Sequence, residues 1–102
     1  MLLAEFSVTP LDKGPSVSAW VSRALDTIDK SGVPYRLGPM GTCLEGKWDD
    51  VMGLIKECFE QMTADCDRVS LSIKGDWRRD ASGRLTAKIA KVESTIGRKL
   101  KE

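Results

Sequence analysis

The period of apolar alternation changes several times along this chain, and the order of those changes restricts the fold more than any single motif. Residues 2–8 place Leu2, Ala4, Phe6 and Val8 on one side and Leu3, Glu5 and Ser7 on the other. A period of two suits a strand with one face packed against other elements. After a loop from Pro10 to Pro15, Ser16 is the expected N-cap of a helix, because its hydroxyl can accept from a free backbone N–H. Val17, Trp20, Val21, Ala24, Leu25 and Ile28 then recur at helical spacing, and Ser31-Gly32 closes the run. Pro34 to Leu37 and Thr42 to Glu45 are short extended segments, joined into a hairpin by a turn at Pro39 to Gly41.

The helical period returns over residues 46–64, where Trp48, Val51, Met52, Ile55, Phe59 and Met62 form the apolar stripe. Asp49 and Asp50 in its first turn complement the helix dipole. Arg68 to Lys74 alternates again, with Val69, Leu71 and Ile73 inward. Beyond a polar loop from Asp76 to Arg84, Leu85, Ile89, Val92, Ile96 and Leu100 predict a third amphipathic helix ending near Leu100. Two right-handed crossovers around a hairpin then give an α+β, ferredoxin-like β-α-β-β-α-β sandwich with an additional C-terminal helix. The expected strand order is 4-1-3-2, in a single domain over residues 1–102. Its open sheet face would carry Glu5, Ser7, Cys43, Glu45, Ser70, Ser72 and Lys74. The stripe of the last helix has no partner in the four-strand core, so it is expected to cover part of that face or to pack on another subunit.

Composition excludes several classes of function. The chain has 102 residues, enough for one core and too few for two. Its net charge of +1 gives no general excess of cations for displacing counterions from nucleic acid. Arg78, Arg79 and Arg84 lie close together and read as a solvated loop. No apolar run reaches membrane-spanning length. The opening Met1-Leu2-Leu3-Ala4-Glu5 lacks a basic leader, so a cytoplasmic protein with reduced thiols is expected. Cys43, Cys58 and Cys66 have no Cys-x-x-Cys spacing, and the sequence contains no histidine. No metal site and no Ser-His or Cys-His nucleophile is therefore expected.

A ferredoxin-like fold hosts many functions, so function has to be read from sites. An RNA-recognition module needs aromatics on the open face of its central strands, where this chain has Glu5, Ser7 and Cys43. A metal chaperone of the fold needs paired thiolates early in the chain, and the first cysteine is Cys43. An acylphosphatase needs an asparagine, and the sequence has none.

Val8-Thr9-Pro10-Leu11 followed by Ser16-Val17-Ser18 resembles the opening of the small thiamine-binding family of the YkoF-like superfamily. The stretch from Ser31 to Thr42, continuing through Glu45-Gly46 and Trp48-Asp49, resembles that family's most distinctive segment. Arg68-Val69 through Ile73-Lys74, with Asp76 and Arg78, is similar to its fourth strand and exit loop. Gly75, where the family tends to be apolar, and Trp77, between Asp76 and Arg78, are departures at the end of that strand.

The resemblance implies a non-catalytic binder of thiamine or a thiamine precursor, with no cofactor beyond that ligand, forming a homo-oligomer such as a dimer or tetramer. The alternative is an interaction module that assembles through its sheet face without a small ligand. Thiamine joins a cationic thiazolium to a flat aminopyrimidine, so its site needs negative charge, a flat or soft wall, and donors and acceptors. The candidate ligand-binding residues are Glu5, Ser7, Met40, Thr42, Glu45 and Trp48. Glu45 and Glu5 would supply carboxylates and Thr42 and Ser7 hydroxyls. Met40 would be a soft wall, and Trp48 an indole face or a core residue. Glu5 or Glu45 could instead pair across the sheet with Lys74.

Overall fold

The computed structural model describes residues 1–14, 18–79 and 83–100, so the expected cap at Ser16 lies outside the described residues. The elements are β1 (Leu2–Pro10), α1 (Ser18–Ser31), β2 (Tyr35–Leu37), β3 (Thr42–Gly46), α2 (Trp48–Thr63), β4 (Val69–Trp77) and α3 (Arg84–Ile96). The strands form one antiparallel sheet in the order β2-β3-β1-β4. This is the ferredoxin-like arrangement with an added helix.

The alternation in β1 decides where the core lies. Leu2, Ala4, Phe6 and Val8 are buried beneath Ala24 and Ile28 of α1 and Val51, Leu54, Ile55, Cys58 and Met62 of α2, with Leu44 of β3 beside them. Full burial of aliphatic side chains of this size contributes about 1.5–3 kcal/mol each. The stripe of α2 is displaced from the one its sequence suggests. Leu54 and Cys58 lie in the core, Met52 and Phe59 only edge it, and Trp48 is 58% exposed. The helix crosses the sheet with Val51, Ile55, Cys58 and Met62 downward, which turns its first residue outward.

The fourth strand also departs from expectation. Leu71 and Ile73 pair with Val8 and Phe6, so they share the helix-side face. They are nevertheless 39% and 42% exposed, because the helix layer ends short of this edge.

The last helix covers one end of the other face. Leu3 pairs with Glu45 on one side and with Asp76 on the other, so the three form a row on the open face. The Arg84 N–H donates to Glu45 Oε2 at 2.7 Å, and its guanidinium reaches the Asp76 carboxylate at 2.8 Å. The helix stops at Ile96 rather than near Leu100, because Gly97 turns left-handed (φ 75°) and its N–H closes on the Glu93 carbonyl. Among the described residues no helix is long and apolar enough to cross a membrane.

Candidate functional site

The two neighbours of β1 differ in length. β4 accompanies it from Leu2 to Pro10, whereas β3 pairs only from Leu2 to Phe6. The hairpin turns away because its tip is tight, with the Gly38 N–H donating to the Gly41 carbonyl at 2.9 Å. Gly41 itself lies against β1. A Cβ there would come within 3.1 Å of the Phe6 carbonyl oxygen and 3.2 Å of the Glu5 Cγ. Only glycine allows this approach without a shift.

A notch in the sheet results, opposite Val8. Successive residues of an antiparallel strand direct their N–H and C=O groups to alternate sides. The Met1 carbonyl accepts from the Arg78 N–H and the Leu11 N–H donates to the Arg68 carbonyl, so the odd residues of β1 serve β4. The even residues serve β3, and the N–H and C=O of Val8 therefore point to the side where β3 has ended. Pro10, next in that series, has no N–H to place there.

On the helix side the notch opens into a cavity of about 260 Å³. Its walls are Phe6, Val8 and Thr42 of the sheet, Val21, Ala24, Leu25 and Ile28 of α1, and the turn from Leu37 to Gly41. Thr42 is 7% exposed, and its hydroxyl has no hydrogen-bond partner among the described residues. No lysine or arginine is among the described residues that line this cavity. On the open side a shallow depression of about 110 Å³ is lined by Glu5, Ser7, Met40, Ser72 and Lys74, with Phe6 and Ile73. The Cys43 thiol points at Glu5 Oε2 from 4.0 Å, and burial together with that carboxylate holds the thiol above its ordinary pKa.

Four of the six residues singled out from the sequence thus surround one notch. Ser7, Met40 and Thr42 line the cavity, and Glu5, Ser7 and Met40 line the depression. Glu45 is elsewhere. It is buried at the start of α3, accepts the Arg84 N–H, and borders a separate wide groove with Lys47, Asp50 and Glu57. Trp48 lines none of these three concavities. Sequence reasoning missed the Val8 backbone and the α1 wall, because a strand-end mismatch is a property of pairing rather than of residue type. Among the described residues no cluster of three or more metal-ligating side chains occurs.

The arrangement can take a flat, partly apolar ring. It offers a donor–acceptor pair from Val8, a hydroxyl from Thr42 and a carboxylate across the sheet. Residues 4–93 match the family model described as thiamine-binding protein. The chain belongs to that family. It is 39% identical over 93 residues to a UPF0045 protein of Mycobacterium bovis, covering 90% of this chain and 91% of the relative. A UPF0045 protein of Methanocaldococcus jannaschii is 38% identical over 100 residues, 98% of this chain and 89% of that one.

Solved structures agree with the fold. A hypothetical protein of M. jannaschii superposes with a TM-score of 0.75 at 35% identity, covering 94% of this chain and 95% of its own. A Thermotoga maritima protein provisionally assigned to thiamine biosynthesis or salvage gives a TM-score of 0.77 at 22% identity, covering 89% and 97%. At that identity the second likeness speaks for the fold alone.

Proposed function

We propose that this protein binds thiamine or a thiamine precursor without turning it over, serving vitamin B1 salvage, trafficking or sensing in the cytoplasm. The observation that carries the reading is the notch opposite Val8. It presents a strand edge's donor and acceptor beside an apolar cavity, where the edge of an aminopyrimidine can complete the missing pairing. Family membership supplies the chemical identity of the ligand. In this reading Thr42 and Ser7 add hydroxyls, Met40 closes over the ring, and Glu5 faces the thiazolium charge from the open side.

Calorimetric titration with thiamine, its mono- and diphosphate, and hydroxymethylpyrimidine tests the proposal. Saturable binding by at least one of them is expected. Thr42→Val keeps the shape and removes the hydroxyl, and should weaken binding by about 1 kcal/mol, roughly fivefold. Glu45→Gln and Trp48→Ala, which alter groups remote from the notch, should change affinity less than about twofold. Absence of heat or thermal stabilisation with every member of the series at millimolar concentration would sink the reading.

A further inference from the structure

The shallow depression on the open face holds both signs of charge, and the strand registers fix where each lies. Glu5 of β1 is opposite Lys74 of β4, and Ser7 is opposite Ser72, so these side chains form adjacent rows on one face. Opposite charges facing each other across strands ordinarily pair. Here they do not. The Glu5 carboxylate turns toward β3, where the Cys43 thiol lies 4.0 Å from Oε2. Lys74 is left without an ion-pair partner, and the Ser7 and Ser72 hydroxyls without hydrogen-bond partners, among the described residues. Continuing the β1–β3 register past Phe6 and Thr42 brings Ser7 opposite Gly41. Having no side chain, Gly41 leaves the depression open toward the notch at Val8. Phe6, Ser7 and Met40 accordingly line both the depression and the helix-side cavity.

We infer that the depression takes the phosphate of thiamine monophosphate, with Lys74 as its counter-ion and the Ser7 and Ser72 hydroxyls as donors; this rests on the binding proposal above. A ligand anchored by its pyrimidine at Val8 and by its thiazolium at Glu5 has one polar arm left, the hydroxyethyl group. Across β1 from Glu5, that arm meets Ser7, Ser72 and Lys74. A phosphate on it carries a charge of about −1.5 to −2 at pH 7 and three acceptor oxygens, which suit an ammonium and two hydroxyls. The depression is thus dipolar, with a carboxylate on the β3 side for the cationic ring and an ammonium on the β4 side for the anion. Free thiamine answers only the first. The helix-side cavity has no lysine or arginine among its described lining residues, so a phosphate gains an opposite charge only on the open face. Lys74 is an exposed point charge on a flexible stem, so the contact sets preference between ligands more than total affinity.

The test reads one ratio, the dissociation constant of thiamine over that of its monophosphate, from calorimetric titrations of the same protein. In the parent it should be about threefold to thirtyfold, from one solvent-facing ion contact together with hydroxyl bonds to a charged group. Lys74→Met should lower the ratio by about 1.5-fold to fivefold, and Lys74→Glu should carry it below one. Ser72→Ala should lower it by about twofold or more. Lys30→Met, which removes a cation paired with Asp26 on α1, should keep the parent's ratio. Raising salt from about 20 mM to about 300 mM should shrink the ratio.

A parent ratio of one would overturn the inference while leaving thiamine binding in place. So would a ratio above one that survives Lys74→Glu, since the phosphate would then lie elsewhere. Should Lys74→Glu not fold, Lys74→Met and Ser72→Ala decide the matter. If no member of the series binds, the binding proposal itself fails and this inference with it.

Discussion

Glu5 and Thr42 lie on opposite faces of the sheet, both beside the contact of Gly41 with β1, and their roles can be separated. Thr42 faces the cavity and any ring within it, whatever that ring's charge. Glu5 reaches a ligand only through its carboxylate, so Glu5→Gln should weaken thiamine by about 1.5-fold to fivefold, the range of a solvent-facing ion contact. Hydroxymethylpyrimidine, which carries no thiazolium, should bind the variant as it binds the parent. Equal losses for both ligands in calorimetry would place Glu5 in a structural role. The thiols give a second prediction at this scale. Cys58 has no exposed surface, its Sγ lies 3.8 Å from the Ala24 carbonyl, and burial pushes its pKa up to about 11. Since the folded value lies above the unfolded one, the stability associated with this proton is complete below about pH 9 and is lost as the pH approaches 11. Urea unfolding should show a decline on the order of 2 kcal/mol over that window, absent in Cys58→Ala. At pH 8 a thiol reagent should modify Cys43 first and Cys58 only on unfolding.

Elements were legible in this sequence wherever one face is buried. β1, α1 and α2 follow from period alone, since burial on one side enforces that period, and the order of strands follows once right-handed crossovers are added. Failures came at edges. Trp48 sits one turn before the helix reaches the core, Leu71 and Ile73 extend beyond the helix layer, and Gly97 overrides the stripe leading to Leu100. The placement of α3 was illegible for another reason: it depends on two side chains, the Glu45 carboxylate that accepts the Arg84 N–H and the Arg84 guanidinium. Arg84 is 10% exposed and donates to Asp76 and to the Met1 carbonyl, while its Nε is buried without a partner. No periodicity announces such a clamp. Arg84→Met should preserve the stem's packing and lose these bonds. Asp76 is 61% exposed and can be rehydrated, so the cost should be about 1–2 kcal/mol in urea unfolding, below that of a fully buried pair. A loss above about 4 kcal/mol would mean that α3 and the sheet unfold as one unit.

Whether they do is a question for the whole molecule, which measures 47 × 29 × 22 Å along its principal axes. The sheet and the two core helices share one apolar interior, to which α3 contributes no buried residue among those described. Instead α3 rests chiefly on β3, while Val92 and Ile96 near its far end remain substantially exposed. Local stability follows buried contacts, so a segment held at one end should open without disturbing the rest. Native-state hydrogen exchange should resolve two classes of amide. Ala4, Phe6, Leu44 and Ile55 should exchange only by global unfolding, at about 5–10 kcal/mol and with strong denaturant dependence. Amides from Ala90 to Ile96 should exchange through a local opening of about 1–3 kcal/mol, nearly independent of denaturant. Arg84→Met should lower the second class further and leave the ordering intact. If the α3 amides instead join the global class without denaturant, the Arg84 clamp couples the helix to the core more tightly than its contacts imply. The open face would then be permanently covered at the Glu45 end, leaving the notch at Val8 as the accessible end of that face.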